Sequence, residues 1–194
     1  MIRLRLKNRP YGFIYEDALP KGPFTKIKIP VDDKNVAITS EYNELANNHC
    51  ACVCTMNIAL ILKKFNTGDF KYVDLGNDAV KIFSDIHKIV GNGPVFLYKP
   101  KLNRFLRSKG SGIRAVPVKK LETIEDSIKS NVPVAMLVNY GITKWHWVLV
   151  IGIRKYADGS IYLNILDGWN KRSDRYMLYE GRKSFIRALK PTWE

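Results

Sequence analysis

Cysteine and histidine are both scarce in this 194-residue chain, with three of each, and acids are outnumbered, 18 Asp and Glu standing against 32 Lys and Arg. The cysteines fall together at Cys50, Cys52 and Cys54. Thiols so close in sequence cannot staple distant parts of a fold, which excludes a disulfide framework and favours a reducing setting. No run reaches the roughly 18 apolar residues of a membrane-spanning helix. The oiliest stretch, Ala51 to Leu62, is shorter and carries Thr55 and Asn57. The start, Met1-Ile2-Arg3-Leu4-Arg5-Leu6-Lys7, alternates cations with apolar side chains where a secretory signal would have a continuous apolar core. A cytoplasmic protein, or one exported by a non-classical route, is expected. The shortage of acids leaves a formal net charge of +14, which either a solvated basic surface or an acidic partner would account for. The cations are spread along the chain, densest over 99–109 and 172–190, with no unbroken basic tract. A nucleic-acid partner is therefore admissible but not favoured.

What is present suggests one domain of α+β class. Residues 1–40, rich in proline and glycine, read as an irregular N-terminal arm, with Ile27 to Val31 as an edge strand interrupted by Pro30. Residues 41–130 read as mainly helical. Ala51 to Lys64 is apolar nearly all round, the pattern of a helix buried on every side, with Asn47 and Asn48 as candidate caps. Helices are also expected over Asp78 to Ile89, Leu102 to Ser108 and Ile124 to Lys129, the last capped by Thr123. Residues 131–194 read as strands joined by short connections: 133–138, 145–154, 161–166 and 175–179, with a turn at Asp158-Gly159. Helices first and neighbouring strands after predict an antiparallel sheet rather than an alternating parallel one.

Three residues carry the candidate chemistry. Cys50 stands where the buried helix begins, and the positive end of a helix dipole favours the thiolate that attacks. Cys52 and Cys54, inside the first turns, read as buried core residues. Cys-x-Cys-x-Cys running into a helix cannot aim all its sulfurs at one point, so no metal and no cofactor are expected. Among the histidines, His87 lies among polar helix neighbours and His49 is placed at the cleft mouth. His146 opens the apolar strand Trp145 to Arg154, a rigid seat for a general base. Asp167 ends the following strand, so a hairpin would set it beside His146, where a carboxylate fixes the imidazole tautomer. Trp147 and Trp169 are expected to line the cleft. For the oxyanion the backbone N–H of Cys50 is one donor, and Asn43, Asn47 or Asn48 would supply a second.

These segments resemble a known group. Asn48-His49-Cys50 running to Asn57-Ile58, His146-Trp147-Val148-Leu149-Val150-Ile151-Gly152, and Leu166-Asp167-Gly168-Trp169-Asn170 are similar to motifs of the papain-like clan of cysteine peptidases. Within it they resemble the bacteriocin-leader (double-glycine) peptidases and their peptidase-like bacterial relatives, over roughly residues 42 to 179. The resemblance implies a papain-like fold, in which a central helix carrying the Cys packs on an antiparallel sheet carrying His and Asp. It also implies a Cys50-His146-Asp167 triad acting on a peptide or protein substrate. Two departures stand out: Cys52 replaces a usual proline, and Glu44 replaces a glutamine that often serves the oxyanion hole. They leave room for transamidation, deamidation or a delivered toxin on the same fold. A basic nucleic-acid-binding or scaffolding module with an inactive site is the reading from another class.

Overall fold

The computed structural model describes residues 10–93, 97–140 and 144–193. At its centre is helix α1 (Cys50–Lys64), in which every residue from Ala51 to Leu62 except Leu60 is buried. Its two polar interior residues are satisfied. Thr55 Oγ1 donates to the carbonyl of Ala51 at 2.8 Å and lies 2.9 Å from the Tyr98 hydroxyl. The Asn57 amide bonds both main-chain groups of Ala37, at 2.9 and 3.0 Å, and so pins the incoming chain against the helix. A buried amide left unpaired would cost about 1–3 kcal/mol, so this clip fixes the approach as well as satisfying the side chain.

Of two amphipathic helices beside α1, the first packs against it directly and the second packs on the first, reaching α1 through Tyr98. Helix α2 (Ala79–Val90) is capped by Asp78, whose carboxylate accepts from the amides of Val80 and Lys81. It turns Ile82, Phe83, Ile86 and Val90 inward and stops at Gly91, whose φ of 72° suits glycine. Helix α3 (Tyr98–Ser108) buries Tyr98, Leu102, Phe105 and Leu106. It begins a turn earlier than the sequence suggests, because Pro100 sits in the first turn, where its missing N–H costs nothing. Helix α4 (Leu121–Lys129) is preceded by Lys120, and Thr123 lies inside it rather than capping it.

The other side of α1 rests on an antiparallel sheet. Its strands are β1 (Ile14–Tyr15), β2 (Phe24–Lys28), β3 (Arg114–Pro117), β4 (Val134–Tyr140), β5 (Lys144–Tyr156), β6 (Ile161–Leu166), β7 (Arg175–Leu178) and β8 (Arg187–Thr192). Their order is β1-β7-β6-β5-β4-β8-β3, and β2 pairs separately with β5. The four strands expected over 133–179 are β4 to β7. Strand β1 is too short to stand out in the sequence, β3 and β8 each contain a proline (Pro117 and Pro191) that disguises them, and β2 ends before Pro30 instead of spanning it. No helix among the described residues is long and apolar enough to cross a membrane.

Strand β5 organises this half. Its first part pairs with β4, placing Val138 opposite His146, and its last part pairs with β2, Lys28 opposite Gly152. Between Val150 and Gly152 the register against β6 shifts. A Cβ at Gly152 would lie 2.9 Å from the Ile27 carbonyl oxygen and 3.2 Å from the Cβ atoms of Lys28 and Asn164. Backbone cannot yield there as a side chain would. Gly152→Ala is therefore expected to destabilise the fold by about 1–3 kcal/mol, measurable as a lowered midpoint in urea unfolding.

Candidate active site

The N-terminus of α1 and the beginning of β5 meet at a cleft of about 490 Å³. Cys50, Asn48 and His49 line it from the helix side, and Lys144, Trp145 and His146 line it from the strand side. Trp169 and Tyr11 form the rest of its aromatic wall, with Thr39, Asn43 and Gly93 at its edges. The meeting follows from local folding. Helix α1 begins at Cys50 itself, one residue earlier than expected, with His49 at the cap position and no capping side chain. Neither Asn47 nor Asn48 caps it. Asn48 adopts a left-handed conformation (φ 51°), which asparagine tolerates, and its carbonyl accepts from the amide of Gly93. The helix N-terminus is thus left open towards the cleft.

Three backbone amides bear on the Cys50 sulfur: its own, that of Ala51, and that of Trp147 from the strand opposite. Each lowers the thiol pKa, but burial outweighs them and pushes it up. The helix dipole is therefore not the deciding influence that the sequence suggests, because the same burial that shapes the cleft removes water from the sulfur. Cys52 and Cys54 are buried deeper and are each pushed up to about 12, mainly by desolvation. Their thiols face main-chain carbonyls, Cys52 that of Gly91 at 3.4 Å and Cys54 that of Val148 at 3.7 Å.

His146 is enclosed on two sides by one turn. Its Nε2 lies 2.6 Å from the main-chain carbonyl oxygen of Asp167. A carbonyl can only accept, so Nε2 carries the proton and Nδ1 is the basic nitrogen. The indole of Trp169 lies flat on the imidazole, with ring centres 4.0 Å apart and planes 9° apart. Burial drives His146 down to about 4, against the opposing pull of the Asp167 carbonyl and carboxylate.

Asp167 thus meets His146 through a different atom from the one the sequence suggests. Its carboxylate is fully engaged elsewhere. It accepts from the amides of Trp169 (2.9 Å) and Asn170 (3.0 Å), from the Asn170 side chain (2.9 Å) and from Nε of Arg175 (3.0 Å). An aspartate followed by glycine forms such a self-bonded turn readily, and Gly168 takes it at φ 74°. The turn is also tied to the helix side: Thr39 N–H donates to the Gly168 carbonyl at 2.7 Å, and the Thr39 carbonyl accepts from Nε2 of His49 at 2.9 Å.

The remaining candidates divide. Asn43 and Asn48 border the cleft, whereas Asn47 does not. Glu44 is exposed and outside the cleft lining, so its carboxylate does not confront an oxyanion there. His49 contributes to the lining but is buried rather than at the mouth, edge-on to Phe83 with ring centres 5.3 Å apart. Trp147 is a correction. It is 2% exposed and packs on Tyr98 in the core, because strand alternation sends it to the face opposite His146. Sequence reasoning missed Tyr11. Its ring centre lies 5.5 Å from that of His146 and 5.9 Å from that of Trp169, and its backbone is left-handed at φ 67°. No residue pattern announces such a contact from the N-terminal arm. Among the described residues, no three His, Cys, Asp or Glu side chains are grouped to hold a metal ion.

A solved structure described as a C39-like peptidase from Bacillus anthracis superposes on this chain with a TM-score of 0.52 at 17% identity, covering 88% of this chain and 98% of that one. The fold is papain-like. Two plant proteins fall in the same company at greater distance. One is the bromelain protease of Ananas comosus in complex with the E64 inhibitor (TM-score 0.46, 14% identity, 87% and 99% covered). The other is the ragweed cysteine protease Amb a 11 in its proform (TM-score 0.39, 12% identity, 92% and 68% covered). No protein-family model matches the chain, and no curated protein matches it. In papain-like terms α1 is the central helix, and β5, with Trp169 from the turn that follows β6, supplies the opposing wall of the cleft.

The state of His146 has a consequence for stability. Its pKa of about 4 lies below the value of about 6.5 expected in the unfolded chain, so the unfolded chain takes up the proton first as pH falls. The stabilisation is fully present above about pH 6.5 and is lost between there and pH 4. Between pH 7 and pH 5 the loss from this group is about 2 kcal/mol. His146→Gln is expected to remove that part of the pH dependence, as seen by comparing urea unfolding of the two proteins at the two pH values.

Proposed function

We propose that this protein is a cysteine hydrolase of papain-like fold that cleaves peptide or isopeptide bonds, with Cys50 as nucleophile and His146 as general base. The observation that carries this reading is that the thiol at the open N-terminus of a buried helix and an imidazole of fixed tautomer border one cleft. The papain-like fold supports it further. Nδ1 of His146 takes the thiol proton as the sulfur attacks the substrate carbonyl carbon, forming a C–S bond. The negative oxygen of the tetrahedral intermediate is met by the Cys50 amide, with the side-chain amide of Asn43 or Asn48 as second donor. Collapse breaks the C–N bond, and the imidazolium returns its proton to the leaving amine. Water, activated by the same imidazole, then splits the thioester and frees the thiol. Asp167 orients the base through its carbonyl, and Trp169 keeps water from the Nε2–H···O bond.

A peptidyl electrophile that alkylates thiols tests the assignment, with mass spectrometry of the peptide carrying Cys50, Cys52 and Cys54. Modification at Cys50 alone is expected, abolished in Cys50→Ala and slowed by about 10²–10⁴ in His146→Ala. Labelling spread over the three cysteines, or indifferent to His146→Ala, would overturn it. Hydrolysis of a peptide library by the wild type, absent in Cys50→Ala, is the matching activity measurement.

A further inference from the structure

The Asp167 carboxylate is the charge that acts on His146, and its hydrogen bonds go to groups other than the imidazole. Of its four donors, three belong to the turn of residues 167–170. The fourth, Arg175, comes from β7 and is the only one with a charge. Both members of this ion pair are shielded: the side chain of Asp167 is 0% exposed and that of Arg175 is 11% exposed. The guanidinium is held in turn. Its carbon lies 4.1 Å from the centre of the Tyr15 ring, and Tyr15 is the residue paired with Arg175 across β1 and β7. A line of contacts therefore runs from the N-terminal arm through Tyr15, Arg175 and Asp167 to His146.

Resting on the reading of Cys50 and His146 as the reacting pair, the geometry points to Arg175 as a positioning residue that decides which atom of Asp167 faces the base. It holds the carboxylate towards β7, which presents the neutral carbonyl to Nε2. Without Arg175 the turn would keep a buried carboxylate lacking its cation, with an imidazole N–H close by. Leaving such a charge unpaired is costly, and accepting from the imidazole is the nearest remedy. The base would then face an anion that stabilises the imidazolium and, with it, the thiolate of Cys50. The cleft is also lined by His49, Tyr11 and Lys144, and none of these residues is altered in the variants.

The experiment is the pH profile of iodoacetamide alkylation at Cys50, read by mass spectrometry, with folding checked by circular dichroism. Relative to wild type, Arg175→Gln is expected to move the midpoint down by about one pH unit. Tyr15→Ala removes the ring beneath the guanidinium but keeps every charge, and it is expected to move the midpoint the same way by less. It carries the test if Arg175→Gln does not fold. In Arg175→Gln/Asp167→Asn no carboxylate remains to turn, and the midpoint is expected to return to the wild-type value. A merely structural role for Arg175 would change the unfolding midpoint and leave the profile in place. An unmoved midpoint in folded Arg175→Gln, or in Tyr15→Ala where that variant must serve, overturns the assignment, as does a shift that persists in the double variant. A wild-type profile in His146→Ala would instead remove the Cys–His pairing on which the assignment rests.

Discussion

A helix without a polar face has to be enclosed, and the enclosure of α1 is the constraint from which the rest of the molecule follows. Neither half of the chain can do it alone. Helix α2 covers one side, with α3 packed behind it, and strand β5 covers the other, while the clip between Asn57 and Ala37 draws the loop before the helix into the gap. The last turn of a helix can fray into solvent, but the first turn of this one is held by the same packing, with the amides of Cys50 and Ala51 bearing on the sulfur beside the cleft. The end of α1 that borders the cleft is thus set by apolar burial and needs no dedicated scaffold.

That burial has an electrostatic cost which the cleft distributes. Desolvation raises the thiol of Cys50 and lowers His146, so both groups rest in their neutral forms. On the proposed reaction, charge separates only when an acyl carbonyl arrives to receive it. Preorganised amides around the sulfur then act on a charge that forms in a water-poor site, where they count for more than in bulk solvent. The carbonyl of Asp167 suits this arrangement, since it aligns the ring without adding a full charge that would commit the imidazole to protonation.

The main elements were legible in the sequence for identifiable reasons. The apolar run of α1 and the contiguous strands β4 to β7 bury enough surface to leave a periodic signature, and a helix starting near Cys50 with a strand starting near His146 follows from it. Three things were not legible. Strand β1 has two residues and no period to detect, and β3 and β8 each contain a proline, Pro117 and Pro191, which speaks against a strand in the sequence. Atom-level choices are also hidden: Asp167 is where strand-end logic puts it, but whether carbonyl or carboxylate faces His146 depends on Arg175, eight residues away on another strand. Strand phase was the third. A one-residue step separates His146, which faces the cleft, from Trp147, which faces the core, and aromatic character alone does not distinguish the two.

Tyr11 gives the molecule an order of assembly. It borders the cleft from the described chain's first few residues, and the strand just after it, β1, pairs Ile14 with Tyr176 and Tyr15 with Arg175. Contacts between residues so far apart in sequence carry a large loop-closure cost and form late. A chain emerging from the ribosome can therefore bury α1 against α2 and α3, and hold a thiol at the end of that helix, well before the arm can reach its partner strand. The aromatic wall and the bracket around His146 wait for β7. On the proposed reaction, chemical competence is in this sense a property of the whole topology, and a partly made chain would carry its thiol without the aromatic wall and the bracket around His146.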